Sequence, residues 1–233
     1  MELLVLQHDE YDDAGSITEW ALKNNHILTT VVLIKGEKLP PDTGFDILFI
    51  MGGTMNVYEE EKFPWFAEEK TFIKKAVGAG KIAVGFCLGG QLLAAVLGGK
   101  VTKNEHAEIG WRMVQFNKTA REHPVLSVFG DSAVIFQWHS DSFGILPENA
   151  ELTAFNDACP HHGFIYGNNV FAFQFHLELT YQMVYSFTRE LEKTGEKGIY
   201  VQSADEIRRR HDRVIENNKL MFDFLDRLEK YCF

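Results

Sequence analysis

Four short apolar runs set the strongest limit on what this chain can fold into. They occupy residues 3–7, 29–34, 46–51 and 81–85, with helical spacing at 16–24 and 66–77 between them. Strands this uniformly apolar are covered on both faces, and helices alternating with them supply the cover. The pattern predicts a three-layer α/β fold, with a mostly parallel central sheet and helices on both faces. Ser16-Ile17-Thr18-Glu19 has the form of a capping box and predicts the start of the first helix, while Pro40-Pro41 interrupts the chain. Beyond Gly98-Gly99 strand-like pieces dominate, at 109–116, 133–138, 152–154, 163–166 and 170–176, and these predict antiparallel edge strands. Helical texture returns at Tyr181. A second capping box, Ser203-Ala204-Asp205-Glu206, precedes Ile207, Val214, Asn218, Met221, Leu225 and Leu228 at the spacing of one last helix. With no linker or repeat, the expectation is a single domain over 1–233 carrying a C-terminal helical extension at about 181–233.

Composition narrows the function classes. The net charge of −10 argues against nucleic acid, since phosphate binding needs clustered Lys and Arg. The basic triplet Arg208-Arg209-Arg210 is flanked by Asp205, Glu206 and Asp212 and reads as a solvated helix face. No apolar run approaches the ~20 residues that span a bilayer, and the N-terminus lacks the basic start of a signal peptide. Three widely spaced cysteines, Cys87, Cys159 and Cys232, are no disulfide framework, so a cytoplasmic location is expected.

Where a parallel sheet covered by helices binds ligands, it does so at the carboxyl ends of its strands. Three segments fall there: 8–15, 52–55 and the turn around Cys87. Gly85-Phe86-Cys87-Leu88-Gly89-Gly90-Gln91 runs from an apolar strand into a helix, which is the form of a nucleophile elbow with Cys in the place of Ser. A helix N-terminus favours an anion there. An isolated G-x-C-x-G also fits a buried cysteine after a core strand. A thiolate nucleophile needs a base with an orienting group. His176, two residues from Glu178 at the end of a strand, is the best candidate, and His139, two residues from Asp141, is its rival, between which proximity in sequence does not choose. Gly52-Gly53-Thr54-Met55 can present backbone N–H groups to an oxyanion or a phosphate. Cys159, His161 and His162 lack the second pair of a zinc framework and read as loop residues, so neither a metal nor a cofactor is expected.

Taken together these segments resemble the class I glutamine amidotransferases. The elbow resembles their G-[IVF]-C-x-G-x-Q motif, Gly52 to Met55 their oxyanion loop, and Phe173-Gln174-Phe175-His176-Leu177-Glu178 their Q-F-H-P-E segment. Gln137-Trp138-His139-Ser140-Asp141 and Glu108-Ile109-Gly110-Trp111 are similar to segments of a stand-alone subgroup related to the glutaminase domain of GMP synthase. The motifs keep family order across residues 1–190. The resemblance implies a flavodoxin-like sheet and a Cys87–His176–Glu178 triad, with His176 as base. It implies oxyanion donors at Gly53 and Leu88, and substrate contacts from Gly52, Gln91, Trp138, His139, Ser140 and Asp141. It further implies hydrolysis of the γ-carboxamide of glutamine or a γ-glutamyl amide through a cysteine thioester. The ammonia would pass to a separate synthase subunit, or an amine would be released by a free peptidase; a homo-oligomer is compatible with either. A non-catalytic metabolite- or partner-binding protein on the same fold is the alternative. Three positions depart from the pattern: Leu177 replaces Pro, Ser140 replaces Gly, and Gly90 is smaller than usual, which predicts a looser pocket.

Overall fold

The computed structural model describes residues 1–232, and the side chain of Cys232, with what the sequence predicts of it, lies outside that description. Nine strands form one sheet: β1 Glu2–Gln7, β2 Ile27–Val32, β3 Ile47–Ile50, β4 Ile82–Phe86, β5 Lys100–Phe116, β6 Ser132–Ile145, β7 Ala150–Phe155, β8 Gly163–Tyr166 and β9 Val170–Phe173. Their order is β2-β1-β3-β4-β9-β8-β7-β5-β6. The half from β2 to β9 is parallel, and the half from β9 to β6 is antiparallel. The helices are α1 Ser16–Lys23, α2 Trp65–Gly78, α3 Leu88–Val96, α4 Lys118–Glu122, α5 Tyr181–Thr194, α6 Ala204–Arg209 and α7 Arg213–Cys232.

The period of two along each strand divides the core into two layers. Leu3, Val5, Ile47, Phe49 and Val84 face Ile17 and Trp20 of α1 and Met221, Phe224, Leu225 and Leu228 of α7. Leu4, Leu6, Leu48, Ile50 and Ala83 face Phe66, Phe72 and Ile73 of α2 and Leu92 and Leu93 of α3. This is the three-layer arrangement that the uniformly apolar strands predict. A third cluster packs Phe136 and Trp111 of the β5–β6 pair under Met183, Val184 and Phe187 of α5 and Ile207 of α6. The C-terminal helices therefore cover both the sheet and the strands beside the site. No helix among the described residues is long and apolar enough to cross a membrane.

The structure differs from the sequence expectation in several places; the second strand, for one, is Ile27–Val32, and Leu33–Lys35 form a 3-10 turn. The first capping box does not form: Gly15, at φ 47, is the N-cap of α1 and makes no side-chain cap. Instead the Ser16 N–H donates to the Glu178 carbonyl at 2.8 Å, so a long-range contact sets the helix start. The second box, at Ser203 and Glu206, does form, but the helix after it breaks into α6 and α7. Ile207 of α6 and Val214 at the start of α7 join the third cluster, while Met221 to Leu228 further along α7 join the first. Strand β9 stops at Phe173, because the chain then crosses to β6, where His176 N–H donates to the Phe136 carbonyl at 3.0 Å. Strands β5 and β6 run far beyond 109–116 and 133–138. Their outer halves are mostly polar, with Thr102 to His106 and Ser140 to Ser142 in unbroken polar runs around a register shift at Lys103/Glu108, which weakens the sequence signal.

Candidate active site

The cysteine sits where β4 turns into α3. Its backbone is held at φ 49 and ψ −110, a left-handed conformation that costs a non-glycine residue of order 1–3 kcal/mol and persists only when its surroundings enforce it. Those surroundings are backbone. A Cβ on Gly89 would overlap the Ile50 carbonyl, and one on Gly85 would collide with the Gly89 backbone. The expected loosening at Gly90 is not present: a Cβ there would lie 2.7 Å from the Phe173 carbonyl, so the position is closely packed. The Cys87 N–H donates to the same carbonyl at 2.8 Å, locking the elbow to β9. Its Sγ lies 3.6 Å from the Trp138 carbonyl and 3.6 Å from Nε2 of Gln174.

His176 and Glu178 come together as the extended spacing predicts. Nδ1 of His176 donates to Oε1 of Glu178 at 2.6 Å, which fixes the tautomer and leaves Nε2 for chemistry. Both side chains are buried, and Nε2 has no hydrogen-bond partner of ordinary geometry among the described residues. Burial pushes the imidazole pKa down. The charges of Glu178 and Asp12, with contacts from Cys87 and Glu178, more than reverse this, and it ends well above its ordinary value. Asn217 of α7 donates to the carbonyls of His176 at 3.1 Å and Leu177 at 3.0 Å, so the C-terminal extension holds this segment in place.

Asp12 lies against the pair, with Oδ1 3.9 Å from Nδ1 of His176. Burial raises its carboxyl, the His176 imidazole opposes that, and the charges of Glu178 and Asp9 add to it, bringing it to about 8. A Cβ on Gly52 would overlap Asp12 and lie 3.1 Å from Cε1 of His176, so only glycine leaves this wall open.

The Gly52–Gly53 loop is oriented from below. His8, fully buried, lies 2.9 Å from the Gly52 carbonyl through Nδ1 and 2.8 Å from Oε1 of Glu69 through Nε2. Both partners are acceptors, so both ring nitrogens donate and the imidazole is a cation. Burial lowers its pKa, but the charge and hydrogen bond of Glu69, the Gly52 carbonyl and Asp12 leave it raised. A trans peptide points its C=O and N–H in opposite directions. Holding the Gly52 carbonyl on His8 therefore turns the Gly53 N–H away from it, and that N–H meets no acceptor among the described residues. Leu88 is the first residue of α3, so its N–H has no intrahelical acceptor either.

Two cavities meet at Cys87, Gly53, Thr54 and Trp138. One, of about 280 Å³, is also lined by Gln91, His139, Ser140 and Asp141. The other, of about 600 Å³, is also lined by Asp12, His176, Ser186, Arg189 and Lys193. Within the smaller one Asp141 accepts from the Tyr58 hydroxyl at 2.9 Å, and the Gln91 amide donates to Gln174 at 3.1 Å. Trp138 stacks on Phe187 of α5 at 5.2 Å. The His139 ring turns away from Cys87. It bonds the Asp141 carbonyl at 3.0 Å and Glu108 at 3.2 Å, which separates it from the base position that the sequence left open to it.

The family model described as "Glutamine amidotransferase class-I" matches residues 9–187. The chain belongs to the class I glutamine amidotransferase family. It is 31% identical over 188 residues to the glutamine amidotransferase-like protein YfeJ of Salmonella typhimurium, covering 79% of this chain and 78% of that one. It also matches GMP synthase [glutamine-hydrolyzing] of Caldicellulosiruptor saccharolyticus at 28% over 135 residues, but there it spans only 24% of the relative's length, against 58% of its own. Among solved structures, a glutamine amidotransferase of Thermotoga maritima superposes with a TM-score of 0.84 at 29% identity, covering 98% of this chain and 97% of that one. One of Methylobacillus flagellatus superposes with a TM-score of 0.91 at 26% identity, covering 100% and 95%.

The sequence marked 8–15 as a site segment without singling out His8 or Asp12, and it assigned no role to Glu69, Gln174 or Asn217. Glu69 and Asn217 sit inside helical runs, where their pattern is that of any polar helical residue; only burial distinguishes them.

Proposed function

We propose that this amidotransferase hydrolyses the γ-carboxamide of glutamine or a γ-glutamyl amide through a thioester on Cys87. The observation that carries the reading is the buried Nε2 of His176, left without a partner beside Cys87 while Nδ1 is fixed by Glu178. A buried ring nitrogen costs free energy unless something uses it, and a passing proton does. In the proposed cycle Nε2 of the imidazolium holds the proton taken from the Cys87 thiol, and the thiolate sulfur attacks the amide carbon. The N–H groups of Gly53 and Leu88 receive the oxyanion. His176 then returns the proton to the leaving nitrogen, and the C–N bond breaks. Water, deprotonated by His176, cleaves the thioester to release glutamate and the Cys87 thiol.

Gln91, Trp138, His139, Ser140 and Asp141 border the smaller cavity and, with Gly52 of the neighbouring loop, are proposed to hold the glutamyl portion. The larger cavity, on the His176 side, has room for an amine bulkier than ammonia and favours a γ-glutamyl amide as substrate. Delivery of ammonia to a separate synthase is the second version. It is supported by 33% identity over 97 residues to a relative of Methanosphaera stadtmanae that is named as one subunit of GMP synthase, half of whose length the chain covers. We place the reaction in the cytoplasm, on one domain that includes the C-terminal helices.

The test is glutamate release by purified protein from glutamine and a series of γ-glutamyl amides. The expected result is turnover of at least one of them and none by Cys87→Ala. Release that persists in Cys87→Ala overturns the mechanism.

A further inference from the structure

Away from the nucleophile, His139, Cys159 and His162 bring donor atoms together in the interior, and Glu108 lies against the two histidines. Glu108 comes from β5, His139 from β6, and Cys159 and His162 from the β7–β8 connection. All four are buried. Single donor atoms of His139, Cys159 and His162 all lie within 4.8 Å of one another. Oε2 of Glu108 lies 3.2 Å from Nε2 of His139 and 2.9 Å from Nε2 of His162.

Hydrogen bonding leaves His162 unsatisfied, while the Cys159 thiol reaches the His161 carbonyl at 3.4 Å. His139 Nδ1 faces the Asp141 carbonyl at 3.0 Å and must donate to it, because a carbonyl only accepts. Its Nε2 faces Oε2 of Glu108 at 3.2 Å, so a cation, either a proton on the ring or a metal ion, stands between them. His162 is fully buried, and neither of its ring nitrogens has a hydrogen-bond partner among the described residues. Its Nε2 is close enough to Glu108 but out of line for an N–H···O bond. The two rings stand at 88° with centroids 5.4 Å apart, so they reach the shared point from different sides. The outer contacts also fit ligation. Histidines that bind metals characteristically give their other ring N–H to a carbonyl, and ligating carboxylates are themselves hydrogen-bonded. Here Asp141 receives the first, and Asn156 Nδ2 donates to Oε1 of Glu108 at 2.6 Å. Asn156 Oδ1 also accepts from the N–H groups of Ala158 and Cys159, at 2.9 and 2.8 Å, and so fixes the turn that presents the thiol.

We propose that Glu108, His139, Cys159 and His162 hold one zinc ion in a closed, four-coordinate site. One thiolate, two imidazoles and one carboxylate suit a tetrahedral zinc ion, and a full protein shell marks a structural site and not a catalytic one. Binding forms the sulfur–zinc bond as the Cys159 thiol loses its proton to solvent. His161, which the sequence grouped with Cys159 and His162, is not a member: its Nδ1 bonds the Phe143 carbonyl at 2.6 Å. The ion would tie the β7–β8 connection to β5 and β6 directly behind Trp138, Ser140 and Asp141, and so brace the glutamyl side of the cavity.

The test uses the untagged full chain. Zinc is measured by elemental analysis after incubation with zinc salt and desalting, and cobalt(II) replaces it for absorption spectra. The expected result is about one zinc per chain, with the cobalt form showing a thiolate-to-cobalt charge-transfer band and tetrahedral d–d bands. Cys159→Ser should remove the charge-transfer band, His162→Gln should cut bound zinc at least about tenfold, and Cys87→Ser should leave the band in place. Wild-type protein that retains no zinc, or lacks the band, overturns the proposal without reference to any variant. So does a band lost in Cys87→Ser, which would put the metal at the nucleophile.

Discussion

Replacing His8 separates the orientation of the proposed oxyanion loop from every residue proposed to touch substrate. In His8→Ala the Gly52 carbonyl loses its 2.9 Å partner, and the Gly52–Gly53 peptide is free to rotate. Deleting an oxyanion donor outright costs about 10²–10³ in kcat. Here the donor survives but is no longer aimed, so a fall of roughly 10- to 100-fold is expected, about 1.4–2.7 kcal/mol, with KM little changed. Stability suffers separately, because Glu69 stays fully buried without its cation, a loss of about 3–5 kcal/mol. Two companions distinguish the effects. In Glu69→Gln the amide can donate to Nε2 while Nδ1–H stays on Gly52, so activity is kept. His8→Leu/Glu69→Met removes both charges, so stability recovers while activity stays low. The assay is steady-state glutamate release alongside thermal melts. A folded His8→Ala with wild-type kcat refutes the orientation argument, as does a Glu69→Gln variant that loses as much kcat as His8→Ala.

Two further outcomes concern Asp12 and the elbow. The folded-state pKa of Asp12, about 8, lies above that of an unfolded Asp, so its contribution is complete at low pH and is lost as pH rises from about 4 towards 8. The raised His8 acts in the same direction above its ordinary range, so melting temperature should fall as pH rises across this window. Asp12→Asn should flatten the fall and melt higher than wild type at pH 8; an unchanged slope contradicts the assignment. At the elbow, Gly89→Ala puts a methyl group into the Ile50 carbonyl, which is backbone and cannot step aside. It should cost at least about 3 kcal/mol or prevent soluble expression, read by denaturant unfolding, and a wild-type midpoint counts against the packing described.

Much of this molecule is legible in its sequence because its strongest signals are local. Each parallel strand is a short apolar run, and the elbow writes its requirement for close backbone packing as Gly85, Gly89 and Gly90. His176 and Glu178 sit two apart in an extended segment, so their pairing also follows from local geometry. The rest depends on distance along the chain. The first capping box failed because Ser16 is claimed by Glu178, which no local window contains. His8 and Glu69 are 61 residues apart, and Asn217 reaches back across 41 to hold His176. Glu108, His139 and His162 are ordinary polar residues in three strand or loop segments until the sheet brings them together. Local pattern reports backbone needs and short-range pairs, whereas the groups that orient the active parts are set by the fold.

Covalent labelling of Cys87 tests the central claim most directly. Protein treated with a diazo-ketone analogue of glutamine is analysed by intact mass and peptide mapping. The expected result is one adduct per chain, on Cys87, slowed by excess glutamine and strongly slowed in Glu178→Gln, where His176 loses its carboxylate. An unlabelled wild type, or an adduct on Cys159 in place of Cys87, would contradict it.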